Sequence, residues 1–198
     1  MLILFYYLIH FFAMATLRDI EMHAGLNAYT GNAVAHAVKD IVGVQFRNMA
    51  TVGGSIWGRF GFSDVLTVFL ALDTYVELYK GGIIPLEQFA KMKKDNDILI
   101  RLIVKKTPCK VVYTAMRNQS TDFPVLACAV SHINGEYRAS IGARPARAIL
   151  IRSQQAEGFA DYVAENAPTE GNLRGSAAYR THLIKVLVAR SMKELGGM

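Results

Sequence analysis

The architecture of this chain is most legible in Val44-Gln45-Phe46-Arg47-Asn48-Met49-Ala50-Thr51-Val52-Gly53-Gly54-Ser55-Ile56. Paired glycines between apolar residues predict a tight turn with exposed backbone amides. Glycine lets a backbone approach an anion closely, and oriented amides form a partly positive nest. The Thr51 and Ser55 hydroxyls would add donors, so Thr51, Gly53, Gly54 and Ser55 are candidate phosphate contacts. By itself a Gly-Gly pair is more often a structural turn. Asp64 stands near the start of an expected helix, where capping and the dipole favour an acid. The alternative is a carboxylate that accepts hydrogen bonds from ligand hydroxyls.

Outward from this segment the pattern alternates between helix and strand. Thr16 caps a helix, with Asp19 placed to complete the cap. A polar loop is expected over 25–31. A helix follows over 32–42, with Val34, Ala37, Val38 and Ile41 on one buried stripe. Ser63-Asp64 opens a further helix through Leu72. Residues 75–79 alternate as a strand, Lys80-Gly81-Gly82 turns it, and Ile83-Ile84-Pro85 returns. A short helix over 86–92 and a strand over 97–104 complete this piece. Lys105-Lys106-Thr107-Pro108 reads as a boundary, because proline resists continuing a strand. Beyond it come strands over 110–116, 125–132 and 136–143, the last two joined by an Asn134-Gly135 hairpin turn. A short strand over 148–152, a helix over 154–165 and a loop over 166–174 follow. Ser176 caps a closing helix that Gly196-Gly197 stops. The pattern is α+β in two pieces, residues 1–106 and 107–198.

Hydrophobic residues make up 52% of the chain and charged residues 19%, which excludes a disordered protein. The net charge of +6 comes from scattered residues with no basic stripe, which argues against a nucleic-acid partner. It suits a solvated face or an acidic docking partner. The two cysteines, Cys109 and Cys128, fall short of the about four thiolates an iron–sulfur cluster needs. Cys128 lies in an apolar run and reads as a core thiol. The five histidines have no metal-ligand partner at helical spacing. Residues 1–15 are very apolar, yet shorter than the roughly 20 residues of a membrane span, and they lack the basic start of a secretory signal. Three readings stay open for them: buried strand, displaced translation start, or a short membrane-associated stretch. No stable membrane span is expected. Nothing forms a hydrolytic triad or a paired-carboxylate site, so any chemistry would be a cofactor's.

Residues 44–56 resemble the signature of the FAD-binding domain of molybdenum hydroxylases, the xanthine dehydrogenase and carbon monoxide dehydrogenase group. The shared pattern is a Gln-x-Arg-Asn run followed by Thr-Ile/Val-Gly-Gly-Asn/Ser. Asp64 falls where the family has an acid before its long helix. Leu70-Ala71-Leu72-Asp73 and Asp97-Ile98-Leu99-Ile100 are also similar. In the second piece, Asp122-Phe123, Ile141-Gly142-Ala143, Pro145-Ala146-Arg147-Ala148 and Gly175-Ser176-Ala177-Ala178-Tyr179-Arg180 look like the flavin subunit's C-terminal domain. The resemblance runs from Ala13 to the end. It implies the C-terminal part of a PCMH-type FAD-binding domain, then a carbon monoxide dehydrogenase flavoprotein C-terminal-like domain with an antiparallel sheet plus helices. It also implies FAD as cofactor. Thr51, Gly53, Gly54 and Ser55 would contact its phosphates and nearby groups. Asp64 would bind hydroxyls of its sugar-like portion, Leu99 would touch the flavin region, and Ile41 would be a further contact. The implied role is to carry electrons from iron–sulfur clusters through FAD to an acceptor such as NAD or oxygen. Iron–sulfur and molybdopterin-binding subunits are the implied partners, and the implied location is cytoplasmic.

The sequence departs from the family pattern in three places. No second Gly-rich loop precedes residue 13. Ala115 stands where a basic residue is common. Trp57, Arg59, Phe60 and Phe62 replace small residues. Two expectations follow. One is a working electron-transfer subunit. The other is a truncated fragment that folds and docks to partner subunits but binds FAD poorly, since each lost phosphate hydrogen bond costs about 1 kcal/mol. An exposed apolar face is expected where a missing subdomain would pack.

Overall fold

The computed structural model describes residues 7–196. The first six residues of the apolar run, and Gly197, lie outside the described residues. Within the rest of that run, Leu8–Phe12 form strand β1, of which only Phe11 is buried. It pairs antiparallel with β4 (Leu99–Lys105), which pairs with β2 (Thr74–Leu78), which pairs with β3 (Gly82–Pro85). The second sheet is a meander of β5 (Cys109–Arg117), β6 (Pro124–Ile133), β7 (Glu136–Gly142) and β8 (Ile149–Ser153). Asn134 and Gly135, both at positive φ, make the β6–β7 hairpin turn expected of that dipeptide. The boundary expected at 105–108 falls between the two sheets.

Helix α1 (Leu17–Met22) begins with the expected capping box, in which Thr16 and Asp19 exchange hydrogen bonds. The polar loop expected over 25–31 is instead helix α2 (Ala24–Thr30). The His23 ring accepts from the Leu26 amide and Gly31 closes the helix in the left-handed region, two caps that outweigh the weak propensity of its Gly and Asn. Helix α3 (Ala33–Val38) buries Val34, Ala37 and Val38 as expected but stops before Ile41. After a short helix α4 (Val44–Arg47), the Gly-Gly segment lies within a helix, α5 (Val52–Trp57), and not in a tight turn. Thr51 caps it by accepting from the Gly54 amide, at 3.1 Å. Arg47 is buried and structural: it forks onto Glu21 at 2.8 and 3.2 Å and donates to the Ile41 carbonyl at 3.2 Å.

Helix α6 (Asp64–Leu70) is capped by Ser63 and all seven of its residues are buried. It lies between the two sheets. Strand β6 faces it with the small side chains Ala127 and Ala129. The opposite face of β6, with Leu126, Cys128 and Val130, packs against α8 (Phe159–Asn166) and α9 (Ala177–Leu195). Strand alternation thus gives β6 two apolar coats and buries nearly all of it. Cys128 is a core thiol, as expected, with burial pushing its pKa up to about 12. Gly142 of β7 has no room for a Cβ, which would overlap Thr67 of α6. A short helix α7 (Leu86–Lys91) covers the far end of the first sheet. No helix among the described residues is long and apolar enough to cross a membrane.

Candidate functional site

A cleft of about 520 Å³ opens where the two sheet units meet. Its floor comes from the first unit: Ile41, Thr51, Gly54, Ser55 and Asp64 all line it. Gly53 and Leu99 do not. Gly53 is packed so tightly that an added Cβ would sit 2.6 Å from the Ala13 carbonyl oxygen. Leu99 is buried in β4, paired with Leu78. The amides that a phosphate would need are taken. Val52 N–H donates to Ala15 O and Gly53 N–H to Ala13 O, each at 2.8 Å; Ser55 N–H donates to Thr51 O at 3.1 Å. With Gly54 bonded to Thr51, the segment Val52–Ser55 is a seated helix start and not an open nest.

Asp64 sits at the first turn of α6, almost fully buried. Its Oδ1 accepts from Arg117 Nη2 at 2.8 Å and, very closely, from the Tyr113 hydroxyl. Both partners come from β5. Burial pushes the Asp64 carboxyl up, while Arg117 and Tyr113 pull the other way. Burial beside Asp64 also drives the Tyr113 hydroxyl well above its ordinary value, so it stays a donor. The sequence lacks the family's common basic residue at Ala115; past a register shift between Met116 and Arg117, Arg117 joins Tyr113 on Asp64. Sequence spacing alone gave no sign of Arg117, Tyr113 or Phe123, because the contacts join segments distant along the chain. The signal available was Asp122-Phe123, which entered as a resemblance and not as a cleft wall.

The other wall is aromatic. Phe60 and Phe62 stack with centroids 5.3 Å apart, and Phe123 from the second unit lies 4.2 Å from Phe62. The bulky residues noted between Ser55 and Asp64 take different places. Phe60 and Phe62 line the cleft, whereas Arg59 turns inward over the Phe89 ring at 3.9 Å. Val42 and Phe46, which line the cleft, and their neighbours Val44 and Met49 are exposed. No group of three His, Cys, Asp or Glu able to hold a metal exists among the described residues.

The family model of the FAD binding domain in molybdopterin dehydrogenase matches residues 8–106, half of the chain. The chain belongs to this family. An uncharacterized Escherichia coli protein, YgfM, is 28% identical over 164 residues, covering 79% of this chain. The chain spans only 62% of that relative's length. Quinoline 2-oxidoreductase from Pseudomonas putida 86 superposes with a TM-score of 0.81 at 15% identity, over 95% of this chain and 74% of that one. Carbon monoxide dehydrogenase from Hydrogenophaga pseudoflava gives 0.82 at 20% identity, over 96% and 75%. At these identities the structural likeness speaks for the fold, which is the α+β architecture of antiparallel sheets plus helices expected from the sequence.

FAD is the cofactor of the family, and the cleft can be tested against it. Its volume and its apolar, aromatic lining with a few convergent polar groups are those of a cofactor site. Asp64, held in place by two donors, is an acceptor suited to hydroxyl groups. These residues fit FAD.

Proposed function

We propose that this chain is the FAD-binding electron-transfer subunit of a molybdenum-dependent hydroxylase or dehydrogenase, with the cofactor in the cleft between the two sheets. The observation that carries the proposal is the convergence of Ile41, Thr51, Ser55 and Asp64 on one aromatic-walled cleft, in a chain of this family. When bound, FAD supplies the electron-carrying chemistry. The chain's own residues bind and orient. Phe60, Phe62 and Phe123 exclude water from one side. Asp64 accepts hydrogen bonds from cofactor hydroxyls while Tyr113 and Arg117 fix its position. Thr51, Gly54, Ser55 and Ile41 contact the cofactor directly. Gly53 and Leu99 act from behind them, Gly53 by letting α5 seat on Ala13. Residues 1–106 and 107–198 serve as the two domains that form the walls.

Two cysteines, one of them buried, leave iron–sulfur clusters to another subunit and the molybdenum centre to a molybdopterin-binding subunit. NAD or oxygen is the acceptor class, and the cytoplasm is the compartment. A second reading, a chain that docks to partner subunits but holds FAD weakly, is favoured by one observation: the Val52–Ser55 amides are already bonded within the chain. A FAD titration of the purified chain, followed by flavin absorbance, separates the two. Saturation near micromolar supports the cofactor subunit; a folded chain without saturable binding supports the docking fragment.

A further inference from the structure

We infer that strand β1 is an interaction edge through which two copies of this chain pair, β1 against β1, about a two-fold axis at His10. This pairing is independent of where a flavin lies. The edge strands of the two sheets are β1, β3, β5 and β8. An open edge invites a further strand, and proteins blunt it with charge, proline or brevity. β3 is four residues long and ends on Pro85, β5 carries Lys110 and Arg117, and β8 carries Arg152. β1, Leu-Ile-His-Phe-Phe, has no Lys, Arg, Asp, Glu or Pro. Its Ile9, Phe11 and Phe12 are residue types that favour strand pairing.

The register shows which groups of β1 are free. At the two ends of the β1–β4 ladder, Lys106 N–H donates to Tyr7 O at 2.7 Å and Ala13 N–H donates to Ile100 O at 2.8 Å. Antiparallel bonding alternates residue by residue. Ile9 and Phe11 therefore also bond to β4, whereas Leu8, His10 and Phe12 turn their N–H and C=O groups to the open side. Among the described residues, the one backbone bond that reaches these groups from outside the sheet is Ala15 N–H to Phe12 O, at 2.9 Å. The side chains there are apolar and uncovered: Phe12 is 66% exposed, and Leu8 and Ile9 are half-buried.

A second copy fits this edge by symmetry. Open-side groups can bond only to open-side groups. An antiparallel second β1 thus sets His10 opposite His10, and Leu8 opposite Phe12 of the second copy, once on each side of the axis. The same strand supplies both halves of a closed two-fold contact. Leu8 and Phe12 then pack across the strands on one face. On the other face the contact covers Ile9, which already packs against the core of the first sheet. A chain of net charge +6 repels its own copies over much of its surface. β1 brings no formal charge of its own, and Arg101, the β4 neighbour of Phe12, is paired with Glu77.

The test is sedimentation equilibrium of the full chain, with amide hydrogen exchange followed by NMR at rising concentration. A dimer is expected. The Leu8 and His10 amides should slow roughly tenfold once about nine-tenths of the chain is paired, while Ile9 and Phe11, already bonded to β4, change little. Phe12→Lys, at an exposed position, should weaken the dimer roughly tenfold, because the altered pair occurs on both sides of the axis. His10→Pro removes a donor that β4 does not use and should abolish the dimer. Met49→Lys, in an exposed apolar stretch elsewhere, should leave it unchanged. A chain that stays monomeric, a dimer whose Leu8 and His10 amides remain fast, or one lost to Met49→Lys but not to Phe12→Lys would overturn this pairing. A FAD titration of the same samples reports on the flavin reading separately.

Discussion

Replacing Asp64 by alanine strips Arg117 and Tyr113 of their shared acceptor in a buried site. Breaking a buried pair from one side costs roughly 3–5 kcal/mol. Urea denaturation should therefore show a lowered midpoint for Asp64→Ala and a smaller loss for Asp64→Asn, which keeps an acceptor. An equal loss for both would contradict the geometry. Because alanine also destabilises, the asparagine variant is the better probe of cofactor contact. Arg180 is the second residue of this kind. It is fully buried in α9 and donates to the carbonyls of Val125 at 2.9 Å, Ala143 at 3.2 Å and Glu170 at 2.8 Å. Arg180→Lys cannot reproduce that fork, so a thermal melt should fall nearly as far for lysine as for methionine. At this scale Asp64, Thr51, Ser55 and Ile41 stood out in the sequence as candidate contacts, and all four line the cleft. Arg117 and Phe123 did not stand out. Their role depends on which distant segment they face, and local spacing carries no record of that.

Helix α6 sets the seam between the units. Its approach to β7 depends on Gly142, so Gly142→Ala should destabilise by about 1–3 kcal/mol through overpacking. The loss should shrink in a Thr67→Ala background, where the colliding hydroxyl is gone; additivity of the two changes in a double-mutant cycle would show that they do not touch. Around α1, burial works against the Glu21 carboxylate, but hydrogen bonds from Arg47 and Arg18 outweigh it and its pKa lies below the ordinary 4.5. Its contribution to stability is present above that value and lost as pH falls through the lower folded value. Glu21→Gln should flatten the acid limb of a stability–pH profile; an unchanged limb would remove the pair from the account of acid sensitivity. Helices with a clear cap, such as those opened by Thr16, Ser63 and Ser176, were legible from sequence. Helix α2 was not, since its cap is a histidine ring and its composition suits a loop. Helix α5 was read as a turn because paired glycines lower helix propensity, while the Thr51 cap and the close packing on Ala13 that favour the helix are tertiary facts.

At the scale of the molecule, two antiparallel sheets flank α6, and the candidate cleft opens at their junction. The gap between the sheets falls at the Lys105-Pro108 segment singled out in the sequence, and β2 was legible in its alternation. The cleft was not, because its floor and one wall come from one sheet unit and its remaining lining from the other. Exposed Val42, Val44, Phe46 and Met49 give the chain an apolar stretch of surface, so light scattering should show concentration-dependent association that salt does not disperse. The central claim is that FAD lies in this junction. A crystal structure of the chain grown with FAD tests it most directly. The expected result is ring density against Phe62 and Phe123 with polyol oxygens within hydrogen-bond reach of Asp64; a flavin bound away from this cleft would contradict it.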